Sequence, residues 1–385
     1  MTSSQTKSMQ KRITITQVSE FLEEIISLGG EELLECYQCG SCTAICPITE
    51  EFNVSFRKTI KYAQFGLRER LLGDLTPWLC NVHGDCVESC PRDAKPSKIL
   101  ATIRRYQSIY YDWTGVSRWW NFSSLKKKLA LIIFVTLLSA LGLFVLYKPV
   151  LMNYISMGKF INMSELIIPG ILIFAISSIL LLSNAYRMYK FIGGGKDYKV
   201  GFFTAIKSIL RTWLGTEKEA MKIPEKRSRI LEHILIFIGL GLFIILSLPA
   251  IIYPSIYSIY PFNYILKVGR YVAAITLLIG VGSPIIKRIS RSPNIHWYYK
   301  MFRHSTDWAS LITVFSIALT GLLLNIFNDL NMVIASYITY VIHLGLVFSF
   351  LLLEVPFGKH NHWIYRAIAN YVSARKGILR GVTHD

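Results

Sequence analysis

The sequence predicts an all-α chain in two parts, a small cysteine-rich helical domain followed by a six-helix transmembrane bundle. Three observations lead there. Of 385 residues, 52% are hydrophobic and only 17% charged, against about 25% charged in an average soluble domain, and the mean hydropathy is +0.40. The formal net charge is nevertheless +18. A disordered chain lacks such hydrophobicity and a soluble globule rarely combines the two, whereas a membrane protein with basic cytoplasmic loops needs both. Finally, all seven cysteines fall between Cys36 and Cys90. An odd number of cysteines at two-residue spacings reads as metal ligation in a reducing compartment, not as a disulfide framework.

Residues 1–25 read as an N-terminal extension, polar over 1–11 and helical from 17 onward. They lack the apolar core of a secretory signal, so the N-terminus is expected in the cytoplasm. Residues 26–110 have ordinary charge density, punctuation by Pro47, Pro77, Pro91 and Pro96, and helical apolar spacing over 56–72, the marks of a small soluble α-helical domain. Residues 111–127 form a juxtamembrane linker, with Trp113, Trp119, Trp120 and Lys126 to Lys128 suited to the headgroup layer. Residues 128–357 hold six apolar runs, at 129–147, 166–186, 230–252, 268–286, 308–327 and 332–353, each near the ~20 residues that cross a bilayer. A tail over 358–385 completes the chain.

Basic residues orient the bundle. The connector after the second run carries Arg187, Lys190, Lys196, Lys199, Lys207, Arg211, Lys218, Lys222, Lys226, Arg227 and Arg229, and the loop after the fourth carries Lys287, Arg288, Arg291, Lys300 and Arg303. The loop after the third has only Lys267 and Arg270, and the tail is basic again. The positive-inside rule then puts the cysteine domain, both long connectors and the C-terminus in the cytoplasm, with the bundle in the cell's inner membrane. Charge confined to membrane-flanking loops follows from topology alone and gives no reason to expect a nucleic-acid partner.

Cys36-Tyr-Gln-Cys39-Gly-Ser-Cys42-Thr-Ala-Ile-Cys46-Pro47 is a C-x2-C-x2-C-x3-C-P run. Three thiolates at this spacing wrap one iron–sulfur cubane, and the fourth, followed by proline, turns toward a second cluster. The partner motif is Cys80-Asn-Val-His83-Gly-Asp-Cys86-Val-Glu-Ser-Cys90-Pro91, the same frame with histidine in the second slot. Crossed ligation assigns Cys36, Cys39, Cys42 and Cys90 to one 4Fe-4S cluster and Cys80, Cys86 and Cys46 to the other. His83 either supplies an imidazole ligand to that second cluster or is a lost ligand that leaves a three-iron cluster or none. Zinc also takes Cys and His at short spacing, but it gives no reason for the x3-C-P ending to occur twice. The 33 residues between Cys46 and Cys80 carry a helical pattern, which fits a helical ferredoxin.

Ionisable groups in bilayer segments are costly enough that each intramembrane histidine is a functional hypothesis. His343 lies in the middle of the sixth run, His233 one turn inside the third, His304 at the lip of the fifth, and His360 and His362 just past the sixth. Facing histidines in a helical bundle hold b-type haem between two imidazoles. His233 and His362 are expected to hold an inner haem, with His304 as competitor, and His343 an outer one. A histidine hydrogen-bonded across helices is the alternative for each. The 19-residue separation of His343 and His362 is a rise of roughly 28 Å in a helix, so one haem cannot take both.

With these residues in view, a resemblance covers nearly the whole chain. The first third is similar to the HdrC subunit of heterodisulfide reductases. The 332–366 stretch, with His343 and Val355-Pro-Phe-Gly-Lys-His-Asn-His362-Trp-Ile-Tyr-Arg366, is similar to the final haem helix of HdrE and NarI-type cytochromes b. One chain joining the two, with Pro77-Trp78-Leu79-Cys80, Gly84-Asp85-Cys86 and Tyr111-Asp112-Trp113-Thr114-Gly115 in these places, resembles the QmoC family of membrane subunits in quinone-interacting oxidoreductase complexes. The resemblance implies a helical two-cluster ferredoxin fused to a cytochrome b bundle, one or two haems b, and menaquinone as lipid partner. It further implies QmoA-like and QmoB-like flavoprotein partners and adenylylsulfate reductase as ultimate electron partner in sulfate respiration. Phe243 stands where the NarI-type pattern places a second histidine on the helix of His233. Two other readings are a subunit of a different heterodisulfide-reductase-like complex and a transporter or scaffold with a redox-sensing ferredoxin domain. Transport would call for ionisable residues other than histidine deep in the runs, and Asp307 and Glu354 both lie near ends.

Overall fold

The computed structural model describes residues 15–147, 153–155, 160–161, 163–207, 209, 224–252, 262–290 and 297–378. Residues 1–11, Arg211, Lys218, Lys222 and Arg291, used above for topology, lie outside these. The described residues are helical and include no strand, and the chain divides into two compact units, one ending at Gln107 and the other starting at Ser108.

In the first unit α1 (Ile15–Ser27) precedes six short helices, α2 (Ser41–Ala44), α3 (Pro47–Phe52), α4 (Phe56–Gln64), α5 (Arg68–Leu72), α6 (Thr76–Leu79) and α7 (Asp85–Glu88), and then the longer α8 (Pro96–Tyr111). Apolar residues recur at helical spacing, Phe21, Ile25 and Leu28 on α1 and Ile99, Ile103 and Tyr106 on α8, and all are buried. The core thus begins inside the stretch expected as an extension. The short helices start where sequence signals say they should. Ser55 caps α4 by accepting from the Lys58 N–H, and Pro47 and Pro77 sit in first turns, where a missing N–H costs nothing. Buried amides tie the loops together: Gln107 donates to the carbonyls of Leu71 and Asp74 at 2.7 and 2.9 Å.

The second unit holds α9 (Val116–Phe122), α10 (Leu125–Tyr147), α11 (Met163–Phe191), α12 (Pro224–Ile252), α13 (Phe262–Ile289), α14 (Trp297–Met301), α15 (Ser305–Asp329) and α16 (Val333–Ser349). α16 continues through a π-helical segment, Phe350–Glu354, into α17 (Val355–Phe357), then a short 3-10 turn and α18 (His362–Arg375). Six helices are long and apolar enough to cross a membrane, at Leu125–Leu146, Leu166–Phe191, Arg227–Leu246, Asn263–Ile289, Ser305–Asp329 and Val333–Phe357. These are the six runs, generally extended by about a turn because helical hydrogen bonding continues past the apolar stretch. The expected linker contains α9, whose Trp120 is fully buried against Ile132 and Ala309.

Side chains dictate the helix neighbours. α12 packs on α13, α13 on α15, α15 on α16 and α16 on α10, while α11 lies against the π segment, α17 and α18. Helices in lipid associate through close packing and interhelical hydrogen bonds, not through hydrophobic exclusion. The Thr136 and Ser349 hydroxyls meet at 2.9 Å between α10 and α16. At Gly280 a Cβ would stand 3.0 Å from both the Ile236 backbone N and Cγ1, so a larger residue must push α12 away. Gly280→Leu is expected to cost about 1–3 kcal/mol through overpacking, read as a lower melting temperature in detergent. Gly142→Leu, where a Cβ meets nothing within 4 Å, should leave that temperature unchanged.

Candidate metal centres

The two cysteine motifs of the first unit repeat in conformation as well as in sequence. Cys36, Cys39, Cys42 and Cys46 correspond to Cys80, His83, Cys86 and Cys90 at a constant offset of 44 residues. Gln38 and Val82 both have positive φ, 62° and 56°, and Gly40 and Gly84, at 92° and 101°, precede α2 and α7. Glycine takes this conformation freely, but a β-branched valine does so only at a cost of order 1–3 kcal/mol. Val82 is therefore held there by its loop, and its N–H donates to Cys80 Sγ at 3.4 Å. His83 thus occupies the backbone slot of Cys39.

Cys36, Cys39, Cys42 and Cys90 line one pocket, together with Tyr37, Arg57 and Arg92. Cys90 belongs to the second motif, so this grouping is the crossed one. Cys46 and Cys86 each lie within electrostatic reach of Cys80, which gathers the remaining three thiols. All seven thiols are free. Among the described residues no three His, Cys, Asp or Glu side chains converge closely enough for a single ion. Four cysteines around one pocket supply the four thiolates that a 4Fe-4S cluster takes.

Burial sets the protonation of most of these thiols. Burial pushes the Cys36, Cys42 and Cys86 thiols up, and burial with Cys80 alongside pushes Cys46 up to about 12. Such thiols become thiolates only when a metal centre compensates the desolvated charge. Exposed Cys39 goes the other way, its sulfur stabilised by the Ser41 hydroxyl at 3.4 Å and by backbone N–H groups. Gln64 on α4 braces the first loop by donating to the carbonyls of Leu33 and Cys36 at 3.0 and 2.8 Å.

Residues 32–94 match the family described as a 4Fe-4S dicluster domain. The segment is similar to the C subunits of heterodisulfide reductases. It is 40% identical over 98 residues to an HdrC-like protein of Archaeoglobus profundus, named for heterodisulfide reductase, a match covering 25% of this chain and 52% of that relative. The HdrC component of the H2:CoB-CoM heterodisulfide, ferredoxin reductase of Methanothermobacter marburgensis is 40% identical over 85 residues, 22% of this chain and 46% of the relative. The HdrC component of the ferredoxin:CoB-CoM heterodisulfide reductase of Methanosarcina mazei is 33% identical over 88 residues, 23% and 54%. The chain thus spans about half the length of the curated relatives it matches. No solved structure matches it. The dicluster domain accounts for two iron–sulfur clusters and for all seven cysteines.

The second unit distinguishes its histidines by which ring nitrogen is left over. His343, buried on α16, has Nδ1 2.9 Å from Thr320 Oγ1 on α15. The single Thr320 hydroxyl proton has the Ser316 carbonyl at 2.8 Å as an acceptor; with that bond made, Thr320 Oγ1 accepts from Nδ1–H in the His343 tautomer whose Nε2 keeps its lone pair. His362 donates Nδ1–H to the Lys359 carbonyl at 2.6 Å, again leaving an Nε2 lone pair. Burial above all, with the Arg366, His360 and Lys359 charges adding to it, holds His362 well below the ordinary histidine value despite that carbonyl bond. It is a neutral imidazole, the form that binds iron. His304 is the opposite case: it caps α15, its Nδ1 accepting from the Thr306 N–H at 3.3 Å, so in the neutral ring Nε2 carries the proton.

His233 lies on an exposed face of α12 against Phe237, their rings 5.8 Å apart. Lys359 and Arg366 are within electrostatic reach of both His233 and His362, so the two expected inner-haem histidines share surroundings. Phe243 of α12 stands 6.3 Å from the His343 ring, facing it from the position where the NarI-type pattern has histidine. Lys267, one of the two basic residues of the sparse loop after the third run, is bound to Asp329 at 2.8 Å, a carboxylate that also accepts from Tyr271. Sequence reading missed Thr320, although a threonine on a neighbouring span is the kind of partner an intramembrane histidine requires.

Proposed function

We propose that this chain is the membrane electron-transfer subunit of a quinone-dependent oxidoreductase complex of the QmoC kind. It passes electrons between menaquinone or menaquinol, haem b and two iron–sulfur clusters. HdrA-like flavoprotein subunits of the QmoA and QmoB kind would exchange electrons with it on the cytoplasmic side, linked to adenylylsulfate reductase. The observation that carries this reading is a dicluster ferredoxin on the same chain as a bundle whose His343 and His362 each present an Nε2 lone pair. The heterodisulfide reductase relatives support the redox role, and the six apolar helices support the lipid-soluble partner. The N-terminal domain and the tail would lie in the cytoplasm, in keeping with the basic connectors.

The residues fit haem b at the inner position best: His233 and His362 would hold it. Bound there, haem supplies one-electron transfer. The chain itself holds the His362 imidazole neutral and aimed through its Nδ1 bond, as metal-bound histidines are aimed by second partners. In the ferredoxin unit the thiols and loop N–H groups hold the clusters. Purified chain in detergent should contain about eight cluster irons plus haem iron, or about seven if the second cluster has three irons. Menadiol should reduce the b-type α-band. Absence of that band, with the clusters present, would favour a scaffold carrying a redox sensor.

His83 separates the clusters. A neutral imidazole in place of a thiolate makes a cluster one unit less negative and favours reduction, as in Rieske centres. The second cluster is therefore expected to have the higher potential. In EPR-monitored redox titrations His83→Cys should lower one potential with four irons retained, and His83→Ala should give a three-iron signal or lose that cluster. If neither change moves either cluster, His83 is not a ligand.

A further inference from the structure

Among the interior side chains of the membrane unit that lack hydrogen bonds their burial demands are a carboxylate and an amide. Glu354 ends the π-helical segment with 0% of its surface exposed, and neither carboxylate oxygen has a hydrogen-bond partner among the described residues. His360 Nδ1 is at 3.7 Å from Oε2, too far for one. Asn184 on α11 is also 0% exposed, with both Oδ1 and Nδ2 unpartnered among the described residues. A buried polar atom without a partner costs about 1–3 kcal/mol, and such groups in a native fold call for a catalytic role or an absent ligand.

Both residues belong to one packing interface. α11 turns Ser177, Leu181, Asn184, Ala185 and Met188 inward, at helical spacing, while Ile171, Phe174, Ile179 and Leu182 are exposed. The buried face lies on the π segment, α17 and α18. The local backbone departs from α-helical register there. In π register the Leu351 carbonyl would receive the N–H of residue 356, but Pro356 has none. The carbonyl instead accepts from Ser177 Oγ at 2.6 Å, which ties the segment to α11. The Glu354 carboxylate lies over Gly358, where any Cβ would collide with it. π-helical turns recur at functional sites.

The structure assigns to this interface the headgroup of a lipid-soluble quinone, an inference that rests on the quinone-dependent reading above. A quinol carries two hydroxyls that need an acceptor and a polar partner, which Glu354 and Asn184 supply, and α11 borders the lipid from which a prenylated ring would slide in. Oxidation of the quinol breaks its two O–H bonds. Glu354 takes the two protons in turn, releasing the first toward the surface before the second. The two electrons leave one at a time to the haem and cluster chain, the oxidant of the proposed function. Reduction of quinone is the reverse, with Glu354 as proton donor. Asn184 holds the ring oxygens and is a positioning residue.

The test compares full-length wild type, Glu354→Gln and Asn184→Ala in detergent. Binding is read by fluorescence quenching of a hydroxyquinoline N-oxide, a quinol analogue, and electron entry by stopped-flow haem reduction with menadiol. Glu354→Gln should slow menadiol reduction about 100-fold, the usual contribution of a positioned base, while dithionite still reduces the same haem. Asn184→Ala should weaken binding of the analogue about tenfold, the worth of one or two hydrogen bonds, with haem and iron content unchanged. Wild-type rates and wild-type analogue binding in both variants would place the quinone elsewhere and leave ordered water between these groups. Should Glu354→Gln lose its haem, the Asn184→Ala titration decides alone. Wild type that contains haem yet is not reduced by menadiol overturns the quinone-dependent reading instead.

Discussion

A Cys90→Ala variant is expected to lose the first cluster and keep the second, although Cys90 stands in the second motif. Cys90 lines the pocket of Cys36, Cys39 and Cys42, and Cys46 lies within reach of Cys80 and Asp85. In each motif the last cysteine opens a turn that begins with proline, Pro47 or Pro91, which carries its sulfur away from the loop of the other three. Removing one of four thiolates leaves the cluster an open corner, so iron should fall to roughly half of wild type or drop by one atom to a three-iron form. Cys46→Ala should damage the higher-potential cluster. EPR of the two variants after partial reduction distinguishes the centres by potential. If Cys90→Ala spares the low-potential signal and Cys46→Ala removes it, ligation is not crossed.

The second large effect is on haem. His362→Ala is expected to remove one b-type haem completely, as is His233→Ala, because each would supply one of two axial imidazoles. His304→Ala should retain full haem content and lose only a helix cap, worth about 1 kcal/mol. The distinction comes from the ring nitrogens. His362 spends Nδ1–H on the Lys359 carbonyl and offers Nε2, while His304 spends its Nδ1 lone pair on the Thr306 N–H. Extracted haem per chain, measured beside iron and sulfide, reads the result. Haem lost from the His304 variant and kept in the other two would exchange the assignments. His343→Ala tests an outer haem in the same preparation. Loss of a second haem would support a site in which Phe243, which cannot ligate iron, leaves His343 to bind alone or with a non-histidine partner.

The helical class, the six spans and the two-cluster domain were legible in the sequence because each rests on a local rule. Span length follows from bilayer thickness, and a cubane's size dictates C-x2-C-x2-C. The same reading placed the frame of His83, since positive φ recurs at Gln38 and Val82 with only backbone sterics behind it. What tertiary structure decided depends on groups far apart in sequence. The meeting of Cys90 with Cys36 and the pairing of His343 with Thr320 are of this kind. So are the burial of Trp120 in a stretch that reads as a linker and the lack of hydrogen-bond partners for Glu354 and Asn184 among the described residues. Periodicity says which residues face inward, but a hydrogen bond is directional and short. Its partner is settled only when two helices have chosen their register, and that choice is made by the packing of the whole bundle.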